Sequence, residues 1–384
     1  MPTIKSFPNF FSQTKSSILQ DIQTVTTYLS QIYQAKCYVV GGAVRDRLLD
    51  VECKDFDIEC FGISVENFEK AMAYLGAQGV GKSFFVYKYH NLDIALPRSE
   101  KKISYGHRGF EVRLAVDKRE ASQRRDFTIN ALMYDIKHEQ ILDFWGGLKD
   151  LQAKVLRVVD DNTFRDDSLR VLRAMQFSAR FGFKVEKWSC ILSQSMALDD
   201  LPKERLFREF EKMFMGGYLH YGLYYLFALG IAEKLFHMTI ERKTFIALAK
   251  RLKKSQKNFV EQLRPYYFLF IVRAYFKIEM KKILERLGAP NRYHKIVKDP
   301  LIPQDVTASF IAILSLKEGI VEYLGNYDIR VIDMAKKLDV WEKPFDRGVT
   351  PVQLMAEGFK GKALGDELER RTQMKIKRLK EKQV

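Results

Sequence analysis

Apolar residues recur at two different periods along this 384-residue chain, and the change from one to the other divides it. Residues 12–34 have helical spacing and predict one helix. CYVV (37–40) predicts a short strand, and GGAVRDRLL (41–49) a turn into a helix. In KDFDIECF (54–61), Phe56, Ile58 and Cys60 alternate with Asp55, Asp57 and Glu59, the period-two pattern of a half-buried strand. Val65 to Leu75 predicts an amphipathic helix, and FFVYKY (84–89) and NLDIAL (91–96) predict the next two strands. Residues 98–113 hold Arg, Lys, Ser and Gly without a clear period and predict a mobile loop ending in a strand. Residues 114–150 mix helix and strand and run into the turn-rich DFWGGLKDL (143–151). From about residue 160 helical periodicity takes over, with no convincing strand. The layout is α/β first and all-α afterwards, an α+β class: a mixed β-sheet with helices, followed by a helical region.

Composition narrows the setting. The chain is long enough for two or more domains. The start MPTIKSFPNF lacks the charged-then-apolar order of a secretory signal. The longest apolar run, Tyr221 to Ala232, is too short to span a bilayer. Cys37, Cys53, Cys60 and Cys190 show no CxxC spacing, which supports neither a zinc site nor a disulfide framework. A cytoplasmic protein, with no membrane and no evident protein partner, is expected. The net charge of +16 is unevenly spread: residues 1–150 carry 20 Lys and Arg against 19 Asp and Glu, while the rest carry 44 against 29. The second region is a polycation suited to a phosphate backbone.

Candidate chemistry sits in the near-neutral region. Asp55 and Asp57 point the same way on a strand, and two carboxylates so close repel unless a cation lies between them. Asp93 in LDIAL offers a third carboxylate. Hard oxygen ligands of this kind suit Mg²⁺, which prefers carboxylates plus substrate phosphates. Gly41 and Gly42, between a strand and a helix start, allow close backbone approach to a phosphate. Arg45, one turn on, adds a cation where a triphosphate would lie. One tempting motif fails. Gly76-x-x-x-x-Gly81-Lys82-Ser83 has the P-loop letters, but a P-loop needs a strand before it and a helix after it. Here the predicted helix precedes and the strand follows, as in a glycine-rich helix-to-strand turn.

In VVGGAVRD (39–46), DFDIE (55–59), RRDFTINAL (124–132), DFWGGLKDL (143–151) and FRDDSLRVLRAMQFSARFGF (164–183), the chain resembles the class II tRNA nucleotidyltransferases and the related bacterial poly(A) polymerases. GVTPVQLMAEGFKGKALG (348–365) looks like the family's tail. The resemblance implies a nucleotidyltransferase head (1–155), a helical neck with the nucleobase-selecting site (156–235), and a helical body and tail that hold tRNA (236–384). It implies a metal-binding pair at Asp55 and Asp57, and triphosphate contacts from Gly42 and Arg45. Arg125, Asp126 and Asn130 match the family's RRDxxxN motif of ribose and triphosphate contacts, and Asp126 could accept from a ribose 2′-OH.

Asp167 and Arg170 match the base-selecting pair. On a helix, Asp167, Arg170 and Arg173 stay within an arc of roughly 120°. A carboxylate accepts from the amino group of cytosine or adenine while a guanidinium donates to the ring nitrogen. Uracil and guanine present the opposite pattern and leave charges unpaired, roughly 1–3 kcal/mol or more. The expected activity is addition of CCA to tRNA from CTP and ATP. An A-adding enzyme, a poly(A) polymerase and an RNA-binding protein with an inactive head are the alternatives. Residues 98–113 match the loop that, in the family, assists the switch from C to A. Two positions depart from the family: Asp166 replaces a usual Glu, and Gln176 replaces a common Arg. No His-Asp dipeptide occurs, so the phosphohydrolase module of some relatives has no signature, and His90 and His107 are expected in structural or loop roles.

Overall fold

The computed structural model describes residues 1–81, 85–102 and 110–381. It divides into two compact units: Met1–Arg205 with Tyr225–Met238, and Leu206–Tyr224 with Thr239–Val384.

The first unit opens with β1 (Thr3–Ser6), α1 (Ser16–Tyr33), β2 (Lys36–Val40), α2 (Gly42–Leu48), β3 (Phe56–Phe61) and α3 (Val65–Tyr74). There follow β4 (Gln78–Gly81), β5 (Val86–Tyr89), β6 (Leu92–Ala95), β7 (Arg98–Lys102), β8 (Phe110–Leu114) and α4 (Lys118–Gln123). The series continues with β9 (Met133–Asp135), β10 (Gln140–Asp143), α5 (Gly147–Ala153), β11 (Val155–Leu156), α6 (Asp161–Arg165), α7 (Leu169–Phe181) and β12 (Lys184–Val185). Eight strands form one sheet in the order β1-β10-β9-β2-β3-β6-β5-β4. Only β3 and β6 run parallel; the other neighbours are antiparallel.

The two faces of the sheet follow from the period-two pattern. Ile18, Ile22, Val25 and Leu29 make a buried stripe along α1, the spacing of a helix lying on a core. That stripe packs in one cluster with Val39, Phe56, Ile58, Cys60 and Ile94 from the sheet and Phe68 from α3. The opposite face of β2 and β3 carries Tyr38 beside Glu59 and Val40 beside Asp57. The alternation thus puts oil under the helices and carboxylates on the other side.

Several elements differ from the sequence-based expectation. The edge strand β1 is too short and too exposed to show a pattern. Gly76 follows α3 with φ +71°, the left-handed turn that glycine favours, and leads into β4. The order is helix to strand, so the P-loop reading fails on geometry; Lys82 and Ser83 lie outside the described residues. Phe84 of the expected 84–89 strand also lies outside them. Phe110–Leu114 is the strand expected at the end of 98–113, but it pairs antiparallel with Arg98–Lys102, where a loop was expected; residues 103–109, His107 among them, are not described. Past residue 160 one strand does occur, because Lys184–Val185 pairs parallel with Val155–Leu156. Two residues are too few for any periodicity to register.

The second unit is helical, with no strand among its described residues. Tyr267, Phe268, Phe270, Tyr293, Ile311, Leu324 and Val331 are buried in it, and the rings of Phe214 and Phe268 stack at 5.5 Å. Thr350 and Gln353 form a capping box at the helix Pro351–Ala356. Among the described residues no helix is long and apolar enough to cross a membrane.

The start of α5 gives a direct stability test. Asp143 accepts from the backbone N–H groups of Trp145, Gly146, Gly147 and Leu148, which fixes the turn. A Cβ on Gly147 would collide with the Thr128 carbonyl oxygen and lie 3.0 Å from Leu132 Cδ2. Backbone cannot yield as a side chain would, so Gly147→Ala should destabilise by about 1–3 kcal/mol. Urea unfolding followed by circular dichroism checks this; a parental midpoint would contradict the packing described.

Candidate active site

Asp57 lies on β3 with Val40 of β2 on one side and Asp93 of β6 on the other. Asp57 and Asp93 are direct partners in a parallel pair and share a face. Lys88, opposite Asp93 on β5, places its Nζ 3.6 Å from Asp93 Oδ1. Asp55 falls just before β3 and is exposed, while its carbonyl accepts a hydrogen bond from Cys53 Sγ. The Asp57 carboxyl is pushed above the usual carboxylate range because protein crowds out its water; Arg125 opposes the shift and Asp93 adds to it. The residue nevertheless remains exposed to solvent. Among the described residues no three His, Cys, Asp or Glu side chains close on one point as a complete metal cage.

Gly41 has φ +71°. A Cβ there would collide with Arg125 Nη1 and lie 3.6 Å from Asp57 Oδ2. The bare α-carbon is therefore where the Arg125 guanidinium and the Asp57 carboxylate converge. The Gly41 N–H is bonded to Leu132 O at 3.2 Å, so the close approach seen at this glycine is that of an arginine. At Gly42 a Cβ would meet Arg45 Nη2 at 3.5 Å.

Asp126 is 6% exposed and anchors the second half of the site. Its Oδ1 accepts from Phe127 N and Asn130 Nδ2, both at 2.8 Å, and its Oδ2 from Arg173 Nε at 2.6 Å. Burial raises its pKa, but Arg173, the Asn130 hydrogen bond and Arg170 outweigh that and bring it to about 2. Three of roughly four acceptor positions are filled, so a ribose hydroxyl could use only the one remaining. Asn130 Oδ1 in turn accepts from Arg45 Nη1. Arg45 is 4% exposed, paired with Asp46 at 2.7 Å, and set 5.0 Å from the Phe177 ring centroid and 4.8 Å from that of Phe181. It is thus enclosed by protein. Arg173 lies 4.9 Å from the Phe177 centroid, so this one ring receives two guanidiniums.

Asp167 lies two residues before α7, ahead of its N-cap Ser168. Its Oδ1 accepts from Leu169 N at 3.1 Å and its Oδ2 lies 3.3 Å from Arg205 Nη2. Arg170, one turn on, donates to the Arg124 carbonyl. The resting Asp167 carboxylate is therefore paired with Arg205. Gln176, at the family's arginine position, is 1% exposed, and neither atom of its amide has a hydrogen-bond partner among the described residues. His90 sits in the turn between β5 and β6, 3.0 Å from Asp21.

Sequence reasoning missed Glu59, Phe177, Phe181 and Arg205. Glu59 is 2% exposed and accepts from both Arg124 and Arg125. Its signal was present, since it continues the polar side of the 55–59 alternation. Arg205 had none, being one basic residue among many.

Family models match at residues 37–157, the "Poly A polymerase head domain", and at 182–243, the "Probable RNA and SrmB- binding site of polymerase A". Among solved structures, the chain is similar to the Thermotoga maritima CCA-adding enzyme complexed with tRNA, at TM-score 0.70 and 24% identity over 98% of this chain and 95% of that one. It is also similar to the Bacillus stearothermophilus CCA-adding enzyme in complex with CTP, at TM-score 0.66 and 20% identity over 96% and 98%. These likenesses define the fold: a nucleotidyltransferase head followed by helical regions. The CCA-adding enzyme of Buchnera aphidicola subsp. Cinara cedri is 30% identical over 355 residues, 80% of each chain. The chain belongs to the family of CCA-adding enzymes and poly(A) polymerases. The Multifunctional CCA protein of Nitrosospira multiformis is 39% identical over 188 residues, 47% of this chain and 44% of that protein. The chain matches about half the length of such curated relatives.

The Asp126 anchor predicts an acid sensitivity of known sign. Its folded pKa lies below the unfolded value of 3.8, so it stabilises fully above pH 4, and that contribution is lost as pH falls towards 2. The depression corresponds to about 2 kcal/mol. Asp126→Asn should be less stable than the parent at neutral pH, with the gap closing below pH 4. Urea unfolding at stepped pH measures the gap; a pH-independent difference would contradict the ion-pair origin.

Proposed function

We propose that this chain is a template-independent nucleotidyltransferase of the cytoplasm that adds C, C and A to the 3′ end of tRNA from CTP and ATP. The observation that carries the reading is the convergence of Asp57, Gly41 and Arg125 at one end of the sheet, with α7 fastened to the same segment through Asp126 and Arg173. The chain's likeness to a CCA-adding enzyme and to a multifunctional CCA protein supports it.

In this reading Asp55 and Asp57 hold Mg²⁺, with Asp93 beside them. Two carboxylates without a complete protein cage fit an ion that keeps water and substrate phosphates as ligands. Magnesium bound there supplies charge stabilisation for the attacking and leaving oxygens. Gly41 leaves room for Arg125, which presents a guanidinium to the triphosphate, and Gly42 follows Gly41 at the start of α2. Arg45 acts from behind, holding Asn130, and Asp126 holds Asn130 and Arg173 in place. Asp167 and Arg170 select the base: the carboxylate accepts from an exocyclic amino group and the guanidinium donates to the ring nitrogen, which admits C and A. To do so Asp167 exchanges Arg205 for the base, a half-exposed pair that costs little to open. Residues 1–155 serve as head, 156–235 as base-selecting neck, and the basic 236–384 as the body and tail that bind tRNA phosphates.

Two outcomes are expected. Asp57→Asn should abolish nucleotide addition while tRNA affinity stays within a few-fold, because phosphate contacts elsewhere supply that affinity; near-parental turnover in magnesium would remove Asp57 from the metal site. The parent protein, given labelled CTP and ATP separately and together, should extend end-less tRNA by C, C and A and then stop. Extension of CC-ended tRNA by ATP alone, with no CTP use on shorter tRNA, would identify an A-adding enzyme, and unlimited A addition a poly(A) polymerase. No transfer of any kind would favour an RNA-binding protein with an inactive head.

A further inference from the structure

Glu59 stands two residues beyond Asp57 on β3, on the same face and one pleat deeper. Its Oε1 accepts from Arg124 Nη2 at 2.9 Å and from Arg125 Nη2 at 3.0 Å. Its side chain is 3% exposed and those of the two arginines 18% and 16%. Charges this covered are tolerated only when paired, since dehydrating each one alone costs several kcal/mol. The arginines, however, have a second anion within reach. Arg125 lies against the Gly41 α-carbon, the point that Asp57 Oδ2 also approaches. A guanidinium that closed on Asp57 in the bidentate fork it favours would cover the oxygens a metal ion needs.

We propose that Glu59 is a positioning residue that holds Arg124 and Arg125 off Asp57, keeping the Asp57 carboxylate open to a divalent cation and the Arg125 head turned towards the triphosphate. The proposal rests on the nucleotidyl-transfer reading of this site. It also accounts for an acid buried against two arginines: a decoy carboxylate, fixed by the pleat, competes for the arginines at a place where they do no harm.

The test is Mn²⁺ binding by the full chain, followed by the paramagnetic resonance of free Mn²⁺, with CTP present and no tRNA. Glu59→Gln keeps the shape and removes the charge; residues that orient metal ligands typically contribute about 10–100-fold to metal affinity, and a loss of that order is expected. The circular dichroism spectrum and tRNA affinity should match the parent. Adding Arg124→Gln removes one of the two cations that Glu59 no longer draws away, so the double variant should recover part of the Mn²⁺ affinity, whereas a purely structural role makes it worse than the single variant. Parental Mn²⁺ affinity in folded Glu59→Gln, or no recovery in the double variant, overturns the proposal. If Glu59→Gln does not fold, Glu59→Asp decides: its shorter arm should weaken Mn²⁺ binding by a smaller factor, and parental affinity overturns the proposal. A parent that binds Mn²⁺ yet transfers no nucleotide overturns the functional reading alone, and the Mn²⁺ titrations still judge Glu59.

Discussion

The Asp126 carboxylate, directly and through Asn130, ties its own segment, α7 and α2 to one another. It sits where water barely reaches and keeps its charge because Arg173, Asn130 and a backbone N–H all donate to it. Remove those donors and a buried anion remains, which costs far more than any one of the hydrogen bonds contributes. Through Asn130 the tether extends to Arg45 on α2, and through Arg173 to α7, where both guanidiniums meet the face of Phe177. The triphosphate end and the base-selecting end of the proposed site are thereby parts of one polar network, and satisfied networks of this kind are stiff.

Around that network the first unit sorts its charge with little waste. The carboxylates of β3 and β6 share one sheet face, and the arginines of residues 124–125 reach over to meet it. Gly41 is needed there for two reasons, its positive φ and the guanidinium lying on its α-carbon. Gln176 breaks the economy. Its buried amide has no partner among the described residues, at the position where an arginine is common in the family, and nothing in the structure explains it.

Much of this was legible before any coordinates. The 55–60 alternation assigned Phe56, Ile58 and Cys60 to the core and Asp57 to the other face, because a strand's pleat leaves no other choice. The helix Val65–Tyr74 and the strand Leu92–Ala95 were equally plain. What could not be read was pairing. Glu59 showed as one more polar residue of the alternation, but nothing local says that two arginines 65 and 66 positions later end on its oxygen. Arg45 read as a cation placed for a triphosphate one turn into a helix, yet Phe177 and Phe181, far along the chain, enclose it. The first arm of the ribbon, residues 98–102, was hidden for the same reason, since its polar sequence has no period and its order comes from the partner strand.

The order of strands in the sheet also sets a timetable for synthesis. β2 is flanked by β3, its near neighbour in sequence, and by β9, which follows nearly a hundred residues later; β1 at the amino end waits for β10. Pairings across such separations close slowly, because chain entropy is lost before contacts repay it. On the ribosome, the Gly41 turn and Asp57 emerge early and stay half-built until residues 124–143 have followed them out of the exit tunnel. A nascent chain stopped before that point would carry Asp57 and Glu59 without the arginines that Glu59 requires. The site therefore cannot assemble in fragments, and prematurely ended chains would expose β2 with one edge bare to whatever strand they next encounter.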